Sequence, residues 1–399
     1  SLLLFGLDNR YVGLVLIITI LGLLSYFQFF RNYASLALRL FSFLLLAAGT
    51  GILVKFAGTS HALRLLAVNT LNSSLVLLII FIILIAHQLL ASFVSLAVSA
   101  SRTHSLKQFL WISGIYLLNL WVTYLDRIGW MEWDYTIPSF ILFVVSAALT
   151  AWTIRERFVL YESIVKNEIL LVVFILGFSA LAFTTYGYFI ATSNDIALLS
   201  ISDLILYTHL GYGMMFLLYV TSNFLGVFEK GLPVNKILYK PTTMPYFTYR
   251  FAGLIFTLAL VFYNNWTTHV NHFASGYYTA LGDVYSEDPT GKALTFYKRA
   301  HLYAPYNQHA ATRLADMEAS VGNFPKQLAY AVDANRFKPT EFTLLNADHL
   351  YFVSENAYED IMLLRTARSL FPSSGPILNN LGLAYSRVRL PDSAVYYFS

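Results

Sequence analysis

The sequence predicts an all-α protein in two parts: a polytopic membrane bundle of about eight helices over residues 1–266, then an α-solenoid of helical hairpins over residues 267–399. Three observations predict it. Of 399 residues, 57% are hydrophobic and only 12% charged, with 28 tyrosines and 32 phenylalanines, whereas soluble domains carry about 25% charged residues. Eight apolar runs before residue 270 are long enough to cross a hydrocarbon core of about 30 Å, which takes roughly 20 helical residues. After residue 270 the acidic residues concentrate and a fixed period appears, the signature of stacked helical units.

The apolar runs fall at 11–30, 37–55, 71–99, 108–125, 137–154, 169–192, 203–227 and 247–265. The third is the longest, with length to spare for tilt. The chain opens on Ser1, and its first apolar run lacks the basic flank and small-residue cleavage site of a signal peptide, so further residues are expected upstream.

Lysine and arginine in short loops mark the cytoplasmic side. One alternating set of loops holds Arg31, Arg39, Arg102, Lys107, Arg155, Arg157, Lys166, Lys230, Lys236, Lys240 and Arg250; the opposite set holds Arg10, Lys55, Arg64 and Arg127. Eleven against four puts the first set inside, and therefore the N-terminus and everything after about residue 266 outside. Trp130, Trp133 and Tyr135 in "GWMEWDYTIP", with Trp266, suit an outer interfacial belt. A bacterial inner membrane with a periplasmic repeat domain is the expected setting, and a eukaryotic lumenal domain the alternative. The net charge of +4 is small, and basic residues sit between apolar runs rather than in clusters, which argues against nucleic acid as a partner. Without cysteine there is no disulfide, thiolate metal site or thiol nucleophile.

In the C-terminal third, Ala300 and Pro305 recur as Ala334 and Pro339 and again as Ala367 and Pro372, at spacings of 34 and 33. In "NNLGLAYSRVRLPDSAVYYF" (379–398), Leu381, Gly382, Tyr385, Ala394 and Phe398 supply large, small, aromatic, small and aromatic positions in turn. Leu281, Gly282, Tyr285, Ala293 and Tyr297 do so earlier with one residue fewer in the turn, and Gly322 keeps a turn between. Small residues let paired helices approach, aromatics fill the space between units, and proline ends each second helix. This pattern resembles the tetratricopeptide repeat over about 274–399, as three units and most of a fourth. The last helix presents "AVYYF" without a capping helix, so the chain is expected to continue with more repeats.

The resemblance places the first helix of each unit along a concave groove. Those helices offer Thr279, Asp283, Thr312, Asp316, Phe342, Leu345, His349, Phe352 and Asn379, with no lysine among them, which argues against a clamp for a C-terminal carboxylate. An apolar, partly acidic groove suits an extended peptide or a partner helix. The competing reading is that Phe342, Leu345 and Phe352 pack against neighbouring units.

Within the membrane part, Asp126, Arg127, Glu168 and Asp203 fall at the ends of the apolar runs, which excludes the buried central charges of an ion-coupled transporter or proton pump. His87 and His209, near Gly211 and Gly213, have the residue types for a haem site, but interhelical hydrogen bonding accounts for isolated histidines as well. Asn265-Trp266-Thr267 matches a glycosylation acceptor, and His269 with His272 offers two metal ligands without a third. No cofactor or metal is expected.

Membrane helices followed by outer repeats are also the plan of lipid-linked-sugar glycosyltransferases and O-antigen ligases. An enzyme of that kind would need outer residues such as His61, Arg64, Arg127 and Glu132 (beside Asp134) to bind diphosphate and move protons. The first outer loop has no acidic residue, and the outer loops are short. The expected function is therefore a membrane-embedded scaffold or assembly subunit, held in lipid and binding protein partners through its repeats, with the transferase as the alternative.

Overall fold

The computed structural model describes residues 3–4, 7–31, 33–56, 62–100, 105–158, 167–230, 232, 234, 237–238, 240, 243–286, 291–336 and 339–398. Apart from a two-residue antiparallel ladder pairing Leu3–Leu4 with Leu7–Asp8, the regular structure is helical. Among the described residues sixteen α-helices follow one another. They are α1 (Asn9–Ser25, continued by a π-helical turn Tyr26–Phe30), α2 (Leu36–Phe56), α3 (Ala62–Ala100), α4 (Ser105–Arg127), α5 (Ser139–Thr153), α6 (Glu168–Ala191), α7 (Asp195–Glu229) and α8 (Tyr246–Tyr263). After these come α9 (Trp266–Val284), α10 (Lys292–Tyr303), α11 (Gln308–Ser320), α12 (Phe324–Asp333), α13 (Glu341–Val353), α14 (Ala357–Leu370), α15 (Gly375–Arg387) and α16 (Pro391–Phe398).

Among the described residues five helices are long and apolar enough to cross a membrane: α3 over Thr70–Ala100, α4, α6, α7 and α8. Two further apolar stretches, Ala37–Ile52 in α2 and all of α5, are shorter. Several boundaries differ from those read off hydropathy. Helix α7 starts at Asp195, not near 203, because Asn194 caps it by accepting from the Ala197 amide (3.2 Å). Asp203 therefore lies two turns inside a helix rather than at its end. After α8 the chain breaks at Asn265, whose φ of 56° is left-handed, and restarts as α9.

The chain forms two compact units. One comprises residues 1–81 and 150–182; its contacts include Phe27 with Phe43, Phe81 with Phe178, and an Arg155–Glu168 ion pair at 3.7 Å. The other comprises residues 82–149 and 183–399, and α7 is its axis, packing on α4, α8 and α9. Close approach is what glycine supplies along this axis. A Cβ at Gly211 would stand 2.9 Å from the Thr257 backbone nitrogen on α8, and one at Gly276 on α9 would stand 2.8 Å from the Ala197 backbone.

From α9 onward, consecutive helices pack in pairs, α9 with α10, α11 with α12 and α15 with α16, and each pair touches the next. Short connections make neighbouring helices run antiparallel. The cores are small: Ala293, Tyr297, Ala300, Ala310 and Leu314 form one, built around an aromatic ring, and Leu344, Leu364, Ala367, Ile377, Leu381 and Ala384 another, which is aliphatic. Gly282 faces the Tyr297 ring and Gly382 the Phe398 ring, so each small residue meets the aromatic on its partner helix.

Candidate functional site

The first helices of successive pairs, α9, α11, α13 and α15, are tied together by polar side chains. Asn307, the cap of α11, donates to Ser275 Oγ and Thr279 Oγ1, both at 2.8 Å. Gln308 donates to Thr343 Oγ1 at 3.2 Å, Ser374 to Glu341 Oε1 at 2.6 Å, and Asn380 to Asp348 Oδ2 at 2.6 Å. Buried polar groups need such partners, and here they come from the next unit. This corrects one expected groove position: Thr279 is fully buried, used up in holding Asn307.

Asp283, Thr312 and Phe342 do converge, around an open cavity of about 640 Å³. Its remaining walls include Arg313 and Gln308 from α11, and Ser193 and Asp195 from the turn between α6 and α7. On its floor Asp283 Oδ1 accepts from Tyr297 Oη at 2.8 Å and from His309 Nε2 at 2.6 Å. Burial first, then the Asp283 charge, pushes the Tyr297 hydroxyl well above its usual range, so it stays a donor. Phe342 is 70% exposed and presents an apolar ring at the rim. Leu345, His349 and Phe352 border a second cavity of about 140 Å³. Asp316 and Asn379 are exposed and line neither.

The turn that walls the larger cavity is itself fixed, since Asn194 donates to the Gly276 carbonyl at 2.8 Å. Deeper along α7, Asp203 pairs with Arg127 at the end of α4 (3.1 Å) and with His269 on α9 (3.3 Å). Arg127 also donates to Ser202 Oγ at 3.2 Å. This cluster was missed from sequence because the three charges are far apart in the chain and the α7 start was misplaced. His272, one turn on, meets Tyr306 Oη at 2.5 Å, and burial holds its imidazole below the usual range. The two histidines thus have separate protein partners. Among the described residues no group of three or more histidine or acidic side chains converges as a metal site.

The remaining candidates are placed as follows. His209 bonds Ser146 Oγ (2.8 Å) and the Ile205 carbonyl (2.7 Å), and His87 bonds the Leu84 carbonyl (2.9 Å) and Tyr246 Oη (3.3 Å). The space beside Gly211 and Gly213 is taken by Thr257 and Leu117. Asn265 accepts from Thr267 Oγ1 at 2.6 Å. Arg127 is engaged by Asp203, while Glu132 and Asp134 are exposed. His61 and the Arg64 side chain lie outside the described residues. No protein-family model matches the chain, and no curated protein matches it either.

Proposed function

We propose that the chain is a membrane-anchored scaffold or assembly subunit. Eight membrane-crossing helices, α1 to α8, hold a tetratricopeptide-like stack on the extracytoplasmic side, in the periplasm of a bacterial inner membrane, and a partner protein docks along the first helices. The observation that carries this reading is the open cavity of about 640 Å³, lined by side chains of α9, α11 and α13 together, with a charged floor and an apolar rim. That mixture suits a peptide segment, whose backbone needs polar partners and whose side chains need an apolar surface. The Asn194–Gly276 and Asp203–His269 contacts support an anchoring role, because they fix the first helix of the stack to α7. Exposed Trp111, Ile115, Leu118, Phe247, Phe251 and Phe262 on α4 and α8 supply the lipid-facing surface.

The test uses the full chain in its own membrane. Thr312→Arg and Phe342→Arg are expected to abolish co-purification of the partner while the chain remains inserted. Retention of the partner by both variants would move the binding element to the membrane helices. An impermeant amine label outside spheroplasts should reach Lys326 and spare Lys230; the reverse pattern would overturn the orientation.

A further inference from the structure

Helices α13, α14 and α15 enclose two carboxylates. Asp348 is 5% exposed and Asp360 1%. Asp348 Oδ2 has the Asn380 amide at 2.6 Å. Among the described residues the cation paired with them is Arg387, whose Nη1 stands 3.7 Å from Asp360 Oδ2, too far for a hydrogen bond. Its guanidinium is committed elsewhere, lying 4.2 Å over the Phe352 ring and donating through Nη2 to the Phe352 carbonyl at 3.3 Å. The two carboxyls can hydrogen-bond each other only when one carries a proton. With both ionised, Asp360 Oδ1 has no protein donor. Two buried acids with half a counter-charge are an unfavourable arrangement, and such arrangements persist where something else completes them.

Beside them lies the cavity of about 140 Å³. Its walls are Leu345, Phe352 and Leu383, its floor Asp348, Asp360 and Asn380, and His349 stands at the rim. At ~30 Å³ per water this volume matches roughly four or five heavy atoms, the size of an alkyl stem ending in a cation.

We propose that this cavity is a specificity pocket for one basic side chain, lysine or arginine, of the partner segment docked on the stack. The proposal rests on the scaffold reading above. The apolar walls hold the stem as long basic side chains require, and the cationic head supplies the donors that Asp360 Oδ1 lacks. Burial, then the neighbouring Asp348, pushes the Asp360 carboxyl up to about 7, so near neutral pH the pair shares a proton that the incoming cation expels. The charged and titratable groups facing Asp360 are Asp348 and His349 on α13 and Arg387 on α15.

The test is calorimetric titration of the full chain in lipid nanodiscs at pH 7, repeated in two buffers of different ionisation enthalpy. The probes are N-acetyl-lysine methylamide, N-acetyl-arginine methylamide and the uncharged norleucine analogue. At least one basic probe should bind tenfold or more tighter than norleucine, releasing up to one proton. Asp360→Asn should remove both binding and proton release. Leu383→Trp, which fills the cavity from its wall and leaves the carboxylates intact, should remove binding even if the first variant misfolds. Equal binding of norleucine, or unchanged binding by a folded Asp360→Asn or by Leu383→Trp, would overturn the pocket. A chain that binds the basic probe but recruits no protein partner would overturn the scaffold reading alone; one that holds its partner yet ignores both basic probes would overturn the pocket alone.

Discussion

Replacing Gly282 by alanine puts a methyl group where the Tyr297 ring already stands, and the cost can be worked from the contacts. The new Cβ would lie 2.5 Å from Tyr297 Cε1 and 2.6 Å from Cδ1, about 1 Å inside the ordinary carbon contact of roughly 3.5–4.0 Å. The ring cannot swing away freely, because it is fully buried and its hydroxyl is bonded to Asp283, which also holds His309. Overpacking costs about 1–3 kcal/mol, and a hydrogen bond to a charged acceptor is worth about 1.5–3 kcal/mol if it breaks. Alanine returns about 1 kcal/mol of helix propensity. The extremes of these terms give roughly 1.5–5 kcal/mol, and the middle of that range, a loss of about 2–4 kcal/mol, is the expectation.

Gly382→Ala is the internal control, since its Cβ would meet Phe398 at 2.7 Å but that ring is half-exposed and has no polar tether. The ring can turn aside, the propensity gain offsets the strain, and the change should stay within about 1 kcal/mol. Hydrogen exchange of the full chain in nanodiscs, read on α9 and α10 for the first variant and α15 and α16 for the second, separates the two. At about 1.4 kcal/mol per tenfold, Gly282→Ala should accelerate exchange roughly 30- to 700-fold and Gly382→Ala less than about fivefold. Equal acceleration by both, or a change under threefold for Gly282→Ala, would refute the claim that the Tyr297–Asp283 tether fixes this pair of helices.

The Asp360 carboxyl is raised in the folded chain, to about 7 from 3.8, so the folded state binds the extra proton between those values and stability falls as pH rises through 7. Asp360→Asn should therefore match the parent near pH 4 and exceed it by up to roughly 3–4 kcal/mol near pH 8, measured as the denaturant midpoint of the repeat segment against pH; parallel pH profiles would contradict this. Arg127→Ala should lower the thermal midpoint, by about 2 kcal/mol of stability, because it leaves Asp203 with His269 alone, and in Asp203→Asn the same change should cost much less. Glu132→Ala should be silent, whereas a transferase would lose activity with Arg127→Ala or Glu132→Ala at unchanged midpoints.

Hydropathy located the long apolar helices because each carries a sustained apolar run close to or beyond the length a bilayer needs, and it located their ends poorly because ends are set by single polar residues. Asn194 moves the start of α7 to Asp195, and that shift turns Asp203 from a residue at the helix end into one two turns inside, where helix packing buries it. Nothing local predicts its partners: Arg127 and His269 lie on α4 and α9, and only the packing of both helices on α7 brings them to one carboxylate. The helical pairs were more legible. A small residue followed about fifteen positions later by an aromatic is a short-range pattern, and the Gly282–Tyr297 and Gly382–Phe398 contacts realise it.

Which first-helix residues line a cavity was only partly legible, for a reason built into the period. A spacing of 33 or 34 puts a residue of one first helix beside its equivalent in the next, and the polar links observed span 28, 32, 32, 33 and 35 positions. A polar residue on a first helix can therefore line a cavity, bond the neighbouring unit or do both, as Asp283 and Asp348 do, and helical phase alone does not separate these outcomes. Thr279 is consumed because Asn307 caps α11 at a point where its amide reaches back to α9, whereas Asp283, one turn further along α9, accepts from His309 on α11 and still lines the cavity. Asp348 likewise is buried against Asn380 on the floor of the smaller cavity, while His349, its neighbour in the chain, is exposed at the rim. If the proposed scaffold function holds, a substitution that weakens partner binding without loosening the helical pairs should be sought at Thr312, Phe342 or His349, which make no polar link to the next pair among the described residues, and one that loosens the pairs without touching the partner at Thr279 or Asn307.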